Sequence, residues 1–230
     1  MPRNFSEDPK IDKALRHSVR DGVSYSVMTG AGETYFAAFA LFFKATTAQI
    51  GLLASLPSLI ATLAQLFAVW LSRQACSRKK IIIVGASLQA LVWLPLIVLP
   101  VLFPDYAVVI IIFCIIGYHA AGSVIIPYWS SLMGDLVPEN RRGRYFALRN
   151  RYTSISALIS LIVAGIVLDY YQQHALAIYG FIGVFTIAAL ARWKSIYHLT
   201  HLIDPGDANL SLDMELGGDW WQQLRQSQLF

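Results

Sequence analysis

Between Ala107 and Leu132 the chain reads AVVIIIFCIIGYHAAGSVIIPYWSSL, with no Asp, Glu, Lys or Arg anywhere in the run. At about 1.5 Å of rise per residue, a helix of about 20 residues crosses a hydrocarbon core about 30 Å thick, so this run is long enough to span a bilayer. Five more apolar stretches flank it: Val23 to Phe43, Ile50 to Leu71, Ile81 to Phe103, Tyr152 to Leu168 and Ala175 to Trp193. Tyr152 to Leu168 is the shortest and is expected to begin further back, in the basic segment before it. None shows the period-two alternation of a barrel strand, and only a helix satisfies its own backbone hydrogen bonds within one span. The expected fold is therefore all-α, a polytopic membrane protein with six transmembrane helices.

Composition agrees. Apolar residues make up 56% of the chain and charged ones 14%, against about 25% charged in soluble domains. That leaves too little polar surface to cover a water-soluble globule, so lipid is the expected outer solvent. The formal charge of +4 would suggest nucleic acid in a soluble chain, but its placement argues for a bilayer partner and no nucleic acid.

The basic residues cluster at alternate connections. Arg3, Lys10, Lys13, Arg16 and Arg20 precede the first stretch, Arg73, Arg78, Lys79 and Lys80 follow the second, and Arg141, Arg142, Arg144, Arg149 and Arg151 follow the fourth. Arg192, Lys194 and Arg225 complete the set, and Lys44 alone falls on the other side. The positive-inside rule then places both termini in the cytoplasm of a multi-pass protein. This gives a cytoplasmic N-terminal tail over 1–21, a six-helix bundle over 22–195 and a cytoplasmic linker or tail over 196–230. No short apolar region with a small-residue cleavage site follows the first residues, so no removed signal peptide is expected. Cys76 and Cys114 are expected as free thiols.

Glu33 stands ten residues into the first stretch, about 15 Å deep. An acid at that depth costs several kcal/mol unless it faces a wet cavity, finds a partner or takes up a proton. Two readings stand: contact with a solute or a coupling proton, or a protonated side chain bonded to a neighbouring helix. Gln65 and Gln89 line the same cavity or bond across helices, and Tyr25 and Tyr35 stack on an aromatic solute or anchor a helix end at the interface. Tyr128 and Trp129 read as interfacial anchors, and Ser156 and Ser160, four apart, share a face.

The run Pro138-Glu139-Asn140-Arg141-Arg142-Gly143-Arg144-Tyr145-Phe146, leading through Ala147-Leu148-Arg149-Asn150-Arg151 into the fifth helix, resembles the N-terminal half of major facilitator superfamily transporters. Asp21 to Met28, Gly32-Glu33-Thr34-Tyr35 and Gln49-Ile50-Gly51-Leu52-Leu53 look like a bacterial branch of that superfamily. The resemblance covers about residues 20–200 and implies two inverted three-helix repeats, a bacterial inner-membrane location and secondary transport of a small solute. It departs from the family at Leu71 to Lys80, where Arg73 and Gln74 replace the usual Asp-Arg pair. It also lacks an arginine within the fourth helix and a Gly-Pro pair in the fifth, which weighs against a drug/proton antiporter.

In such a half the first and fourth helices are equivalents, and both carry glycine and a polar group near mid-depth: Gly30, Gly32 and Glu33 in one, Gly117, His119 and Gly122 in the other. Pro127 removes a backbone donor and acts as a hinge. His119 is either a satisfied core histidine or a titrating cavity residue. Arg141, Arg142 and Arg144 are expected either to pair with Asp135 or Glu139 as part of an inner gate or to anchor on anionic lipid, and Arg78, Lys79 and Lys80 keep the family's basic cluster in the cytoplasmic loop before the third helix. A complete transporter has two such halves, so a second six-helix half or a second copy is the implied protein partner. The alternative is a non-transporting accessory or assembly subunit, or a remnant. His198, His201 and Asp204 have a loosely metal-like spacing without a fourth ligand, so no metal, cofactor or catalytic residue is expected.

Overall fold

The computed structural model describes residues 5–71 and 77–205. Arg73, Gln74, Cys76 and the stretch from 206 onward, with its Trp220–Trp221 pair, lie outside the described residues. Within them the chain forms α1 (Pro9–Ala31), α2 (Phe36–Phe42), α3 (Thr47–Leu71), α4 (Arg78–Leu102), α5 (Ala107–Leu136), α6 (Arg142–Gln173) and α7 (Ala177–Leu199), with no strand. Five of these, α3 to α7, are long and apolar enough to cross a membrane.

The first apolar stretch is where expectation and structure part. It is expected as one helix, but it breaks: α1 ends at Ala31, a 3-10 turn covers Glu33–Tyr35, and α2 carries on from Phe36. Gly32 closes α1 by donating its N–H to Met28 O at 2.9 Å, and Tyr35 N–H donates to Gly32 O at 2.9 Å. The break follows from packing. A Cβ on Gly32 would lie 2.6 Å from the Ala188 Cβ and closer still to the Trp93 ring, so a side chain cannot enter there.

At its other end α1 begins at Pro9, well ahead of Val23. Asp8 caps it by accepting the Lys10 N–H at 2.8 Å, and Pro9 occupies the first turn, where no N–H is needed. Likewise α6 begins at Arg142, ten residues before Tyr152. The connection from Met133 to Phe146 is thereby mostly helix, with one 3-10 turn at Glu139–Arg141.

At the end away from the arginines, two connections turn through residues with positive φ, Lys44 at 61° and Ala175 at 57°. Each closes its helix with a pair of backbone bonds, Lys44 to Leu41 and Ala45 to Ala40, Ala175 to Gln172 and Leu176 to Tyr171.

The helices pack as two groups, α1 with α6 and α7, and α5 with α3 and α4, joined where α4 meets α7. The interior has two apolar cores. One, at the basic end, holds Leu15, Val19, Ile82, Leu132, Tyr145 and Leu199. The other is aromatic, with Phe36, Phe39, Trp93, Tyr118 and Phe185 in ring contact. Outward faces carry Leu59, Leu63, Leu66, Leu158, Ile162 and Ile166, large apolar side chains that lipid covers. Cys114 is a free, half-buried thiol.

Candidate functional site

Between the two apolar cores lies a polar layer. Residues 21 and 25 of α1, 89 of α4, 122, 125, 126, 129 and 130 of α5, 149 of α6 and 192 and 199 of α7 surround a cavity of about 280 Å³. Five long helices thus contribute one or more side chains each to one concave space.

Charge in this layer is arranged through a hydroxyl. Asp21, 4% exposed, accepts from Ser195 Oγ at 2.6 Å, and Ser195 Oγ accepts from Arg192 Nη1 at 3.0 Å. Arg149 Nη2 stands 3.9 Å from the second Asp21 oxygen, an ion pair beyond hydrogen-bond distance. Both guanidinium groups rest on aromatic faces, Arg149 over Trp129 at 4.4 Å and Arg192 over Tyr25 at 5.0 Å. Gly22 makes room for Arg149, since a Cβ there would sit 2.8 Å from its Nη2.

These residues are the ones the sequence misplaces. Arg149 and Arg192 are expected in loops, but they are held inside the bundle, and Trp129 lies under Arg149 instead of anchoring an interface. Tyr128 is also interior, 4% exposed, and donates to Ala68 O at 2.6 Å. A signal was present: Arg192 falls within the apolar stretch that ends at Trp193. Ser195 and Asp21 are 174 positions apart and give no local sign of their contact.

A second polar contact sits deeper, at the break in the first stretch. Glu33, half-buried, accepts the Tyr118 hydroxyl at 2.9 Å, which joins the 3-10 turn to α5. Gln89, 1% exposed, donates its amide to Tyr118 O at 3.3 Å, and its Oε1 has no partner. Gly122 packs on that amide, 2.8 Å from where a Cβ would be. Glu33, Tyr118, Gln89 and Gly122 therefore form one connected patch.

The remaining expected residues divide. Tyr35 donates its hydroxyl to Leu161 O on α6 at 2.7 Å. Gly30 gives α6 its approach, since a Cβ would run into Ser160 Oγ and the Ala157 carbonyl. Ser160 itself donates to Ser156 O at 2.8 Å. Gly117 has only Val92 near its missing Cβ, at 3.8 Å, so close packing does not require it. His119 touches the Tyr118 ring edge and Gln65 is half-buried on α3; neither lines the cavity. α5 runs unbroken through Pro127.

At the basic end Arg78 holds three partners. Its Nη2 reaches Asp204 at 2.6 Å, and its Nη1 reaches Asp135 at 2.7 Å and Ser131 at 2.9 Å. Asp135 is thus taken by Arg78, not by the later arginines. Arg141 pairs with Glu7 at 2.8 Å, Arg142 binds Gly134 O at 2.6 Å and stands 3.7 Å from Glu139, and Lys80 and Arg144 are exposed. Lys79 is half-buried.

Beside this clasp three histidines meet. His17 Nδ1 lies 3.2 Å from His198 Nδ1, and the His17 ring stacks on His201 at 4.6 Å. His17 precedes the apolar stretch. Burial, followed by the positive neighbours His201, Arg20 and Lys13, holds its pKa below the usual histidine value. Among the described residues, no group of three or more His, Cys, Asp or Glu side chains has metal-holding geometry.

Five apolar helices of spanning length, enclosing ionised side chains that only a protein interior can shelter, define a multi-pass membrane protein with a polar centre. The family model for the Major Facilitator Superfamily matches residues 22–208, and the chain belongs to that superfamily of transporters. No curated protein and no solved structure matches it.

Proposed function

We propose that this chain is one six-helix half of a secondary active transporter, moving a small solute along a path between the broken first span and α5. The observation that carries this reading is the Tyr118–Glu33 bond at 2.9 Å. It sits where the backbone leaves its helix, and irregular backbone at membrane depth belongs where protein buries it or a cavity wets it. An acid at such a place has a differential use, because a solute or a proton arriving there can displace the tyrosine.

The packing pattern supports a pair of inverted three-helix repeats. The first span packs on the fifth and sixth, and the fourth packs on the second and third, so exchanging the halves maps one group onto the other. On this reading the basic end faces the cytoplasm of a bacterial inner membrane, and the Arg78 clasp forms the inner gate. A second half or a second copy supplies the opposite wall of the path.

The test is solute-driven ion movement in proteoliposomes loaded with a pH-reporting dye, with small solutes added in turn at two pH values. Some solute is expected to be taken up with a pH-dependent rate, and Glu33→Gln to remove that dependence. Uptake with unchanged pH dependence in Glu33→Gln would overturn the assignment of Glu33.

A further inference from the structure

The polar layer contains more hydrogen-bond donors than its own acceptors satisfy. Arg149 and Arg192 each carry five N–H donors, and both leave Nε buried without a partner. Asp21 is the carboxylate beside them, and one of its oxygens is already bonded to Ser195. Among the residues that line the cavity the two guanidinium groups face one carboxylate, Asp21, while Glu33 stands behind the lining, joined to Gln89 through Tyr118.

The arginines are also held in a way that suits a ligand. A guanidinium seated over an aromatic ring is held in place by it, and the N–H groups that the protein leaves unpaired remain for an acceptor. Trp129 and Tyr25 supply those rings. A carboxylate matches such an edge, because its two oxygens accept parallel N–H bonds. In the same lining, Gln89 Oε1 is an acceptor with no donor, and a buried acceptor left so costs about 1–3 kcal/mol. It calls for an O–H or N–H on the ligand.

A hydroxyl supplies that donor without bringing a further charge to be balanced. The cavity, about 280 Å³, is just below the usual range of about 300–1,000 Å³ for drug-sized ligands. Resting on the transport reading above, we propose that the solute is a small hydroxycarboxylate, its carboxylate received by Arg149 and Arg192 and its hydroxyl by Gln89.

Equilibrium binding to the full chain in lipid nanodiscs tests this without any gradient. The probes are glycolate, lactate and glycerate, with acetate and propionate as partners lacking the hydroxyl and choline as a cation of similar size. The hydroxy acids are expected to raise the melting temperature and to bind about tenfold tighter than their partners, with choline inert. Gln89→Leu should erase that preference while carboxylate binding persists, and Arg149→Gln should remove binding altogether. Asp21→Asn should bind the anions at least as tightly as the unaltered chain, which keeps the idea testable if Arg149→Gln does not fold. No response to any hydroxy acid, tighter binding of choline, or weaker anion binding in Asp21→Asn would each overturn it. Binding without flux would count against transport alone; flux of another solute with these anions ignored would count against this site alone.

Discussion

Tyr118 on α5 donates its hydroxyl to Glu33 at 2.9 Å, while its backbone carbonyl receives the Gln89 amide at 3.3 Å. One residue thus ties the break in the first apolar stretch to α4, and its ring stays in the aromatic core against Phe36 and Trp93. Hydroxyl and ring have separable jobs. Tyr118→Phe should therefore leave the melting temperature within a few degrees and lower solute flux by about tenfold, the loss of one charge-assisted bond. Flux in proteoliposomes and melting of the same preparation decide it; an unchanged flux would make the bond merely structural.

Gly30 lets α1 lie against α6, with Ser160 Oγ and the Ala157 carbonyl in the space a side chain would need. Gly30→Ala should destabilise the chain by about 1–3 kcal/mol, the usual cost of overpacking. Adding Ser160→Gly should recover only part of this, because the Ala157 carbonyl stays in place. Thermal unfolding of the single and double variants in one detergent measures both numbers.

Ala175 turns the chain from α6 into α7 with φ of 57°. An L side chain in that region costs about 1–2 kcal/mol that glycine does not incur. Ala175→Gly is expected to raise the melting temperature, offset in part by the greater freedom of the unfolded chain. A fall in melting temperature would show that the turn is not strained.

His17 is crowded by His198, His201, Arg20 and Lys13, and burial holds it neutral below its ordinary pKa. The unfolded chain binds a proton there more readily than the folded one, so stability rises with pH across the window. The contribution is complete above about pH 6.5 and is lost as pH falls towards the depressed folded value. Melting temperature should thus drop on acidification below about 6.5, and His17→Gln should flatten that slope. Equal slopes in both proteins would assign the drop elsewhere.

Arg78 spans Asp204, Asp135 and Ser131 with one planar group. Lysine offers a point charge in place of a fork, so Arg78→Lys should keep one of these contacts and lose about 1–3 kcal/mol, with Arg78→Ala losing more. Unfolding at moderate and high salt checks it. The half-buried side of the clasp, where Asp204 is 2% exposed, should persist when salt screens the rest.

Most of the scaffold was legible because hydropathy reports what lipid demands, residue by residue along a helix. The lone Glu33 was legible for the same reason, since an acid has nothing to hide behind in an apolar run. The break beside it was not, because a 3-10 turn leaves hydropathy unchanged; it follows from Trp93 and Ala188, which meet Gly32 only in three dimensions. Arg149 and Arg192 were misread because counting positive charges treats every arginine as facing water. The carboxylate that faces them, Asp21, comes from the other end of the described chain.

The first helix is also the least lipophilic of the long ones, and α3 to α7 alone have the apolar length to enter a bilayer on hydropathy. Its packing partners are α6 and α7, the last two described. During synthesis the ribosome therefore delivers Asp21 and His17 long before Ser195 and His198 exist to receive them. Until α6 and α7 follow, the polar side chains of α1 lack the contacts that hold them in the folded bundle, so the first helix is seated only after helices made much later.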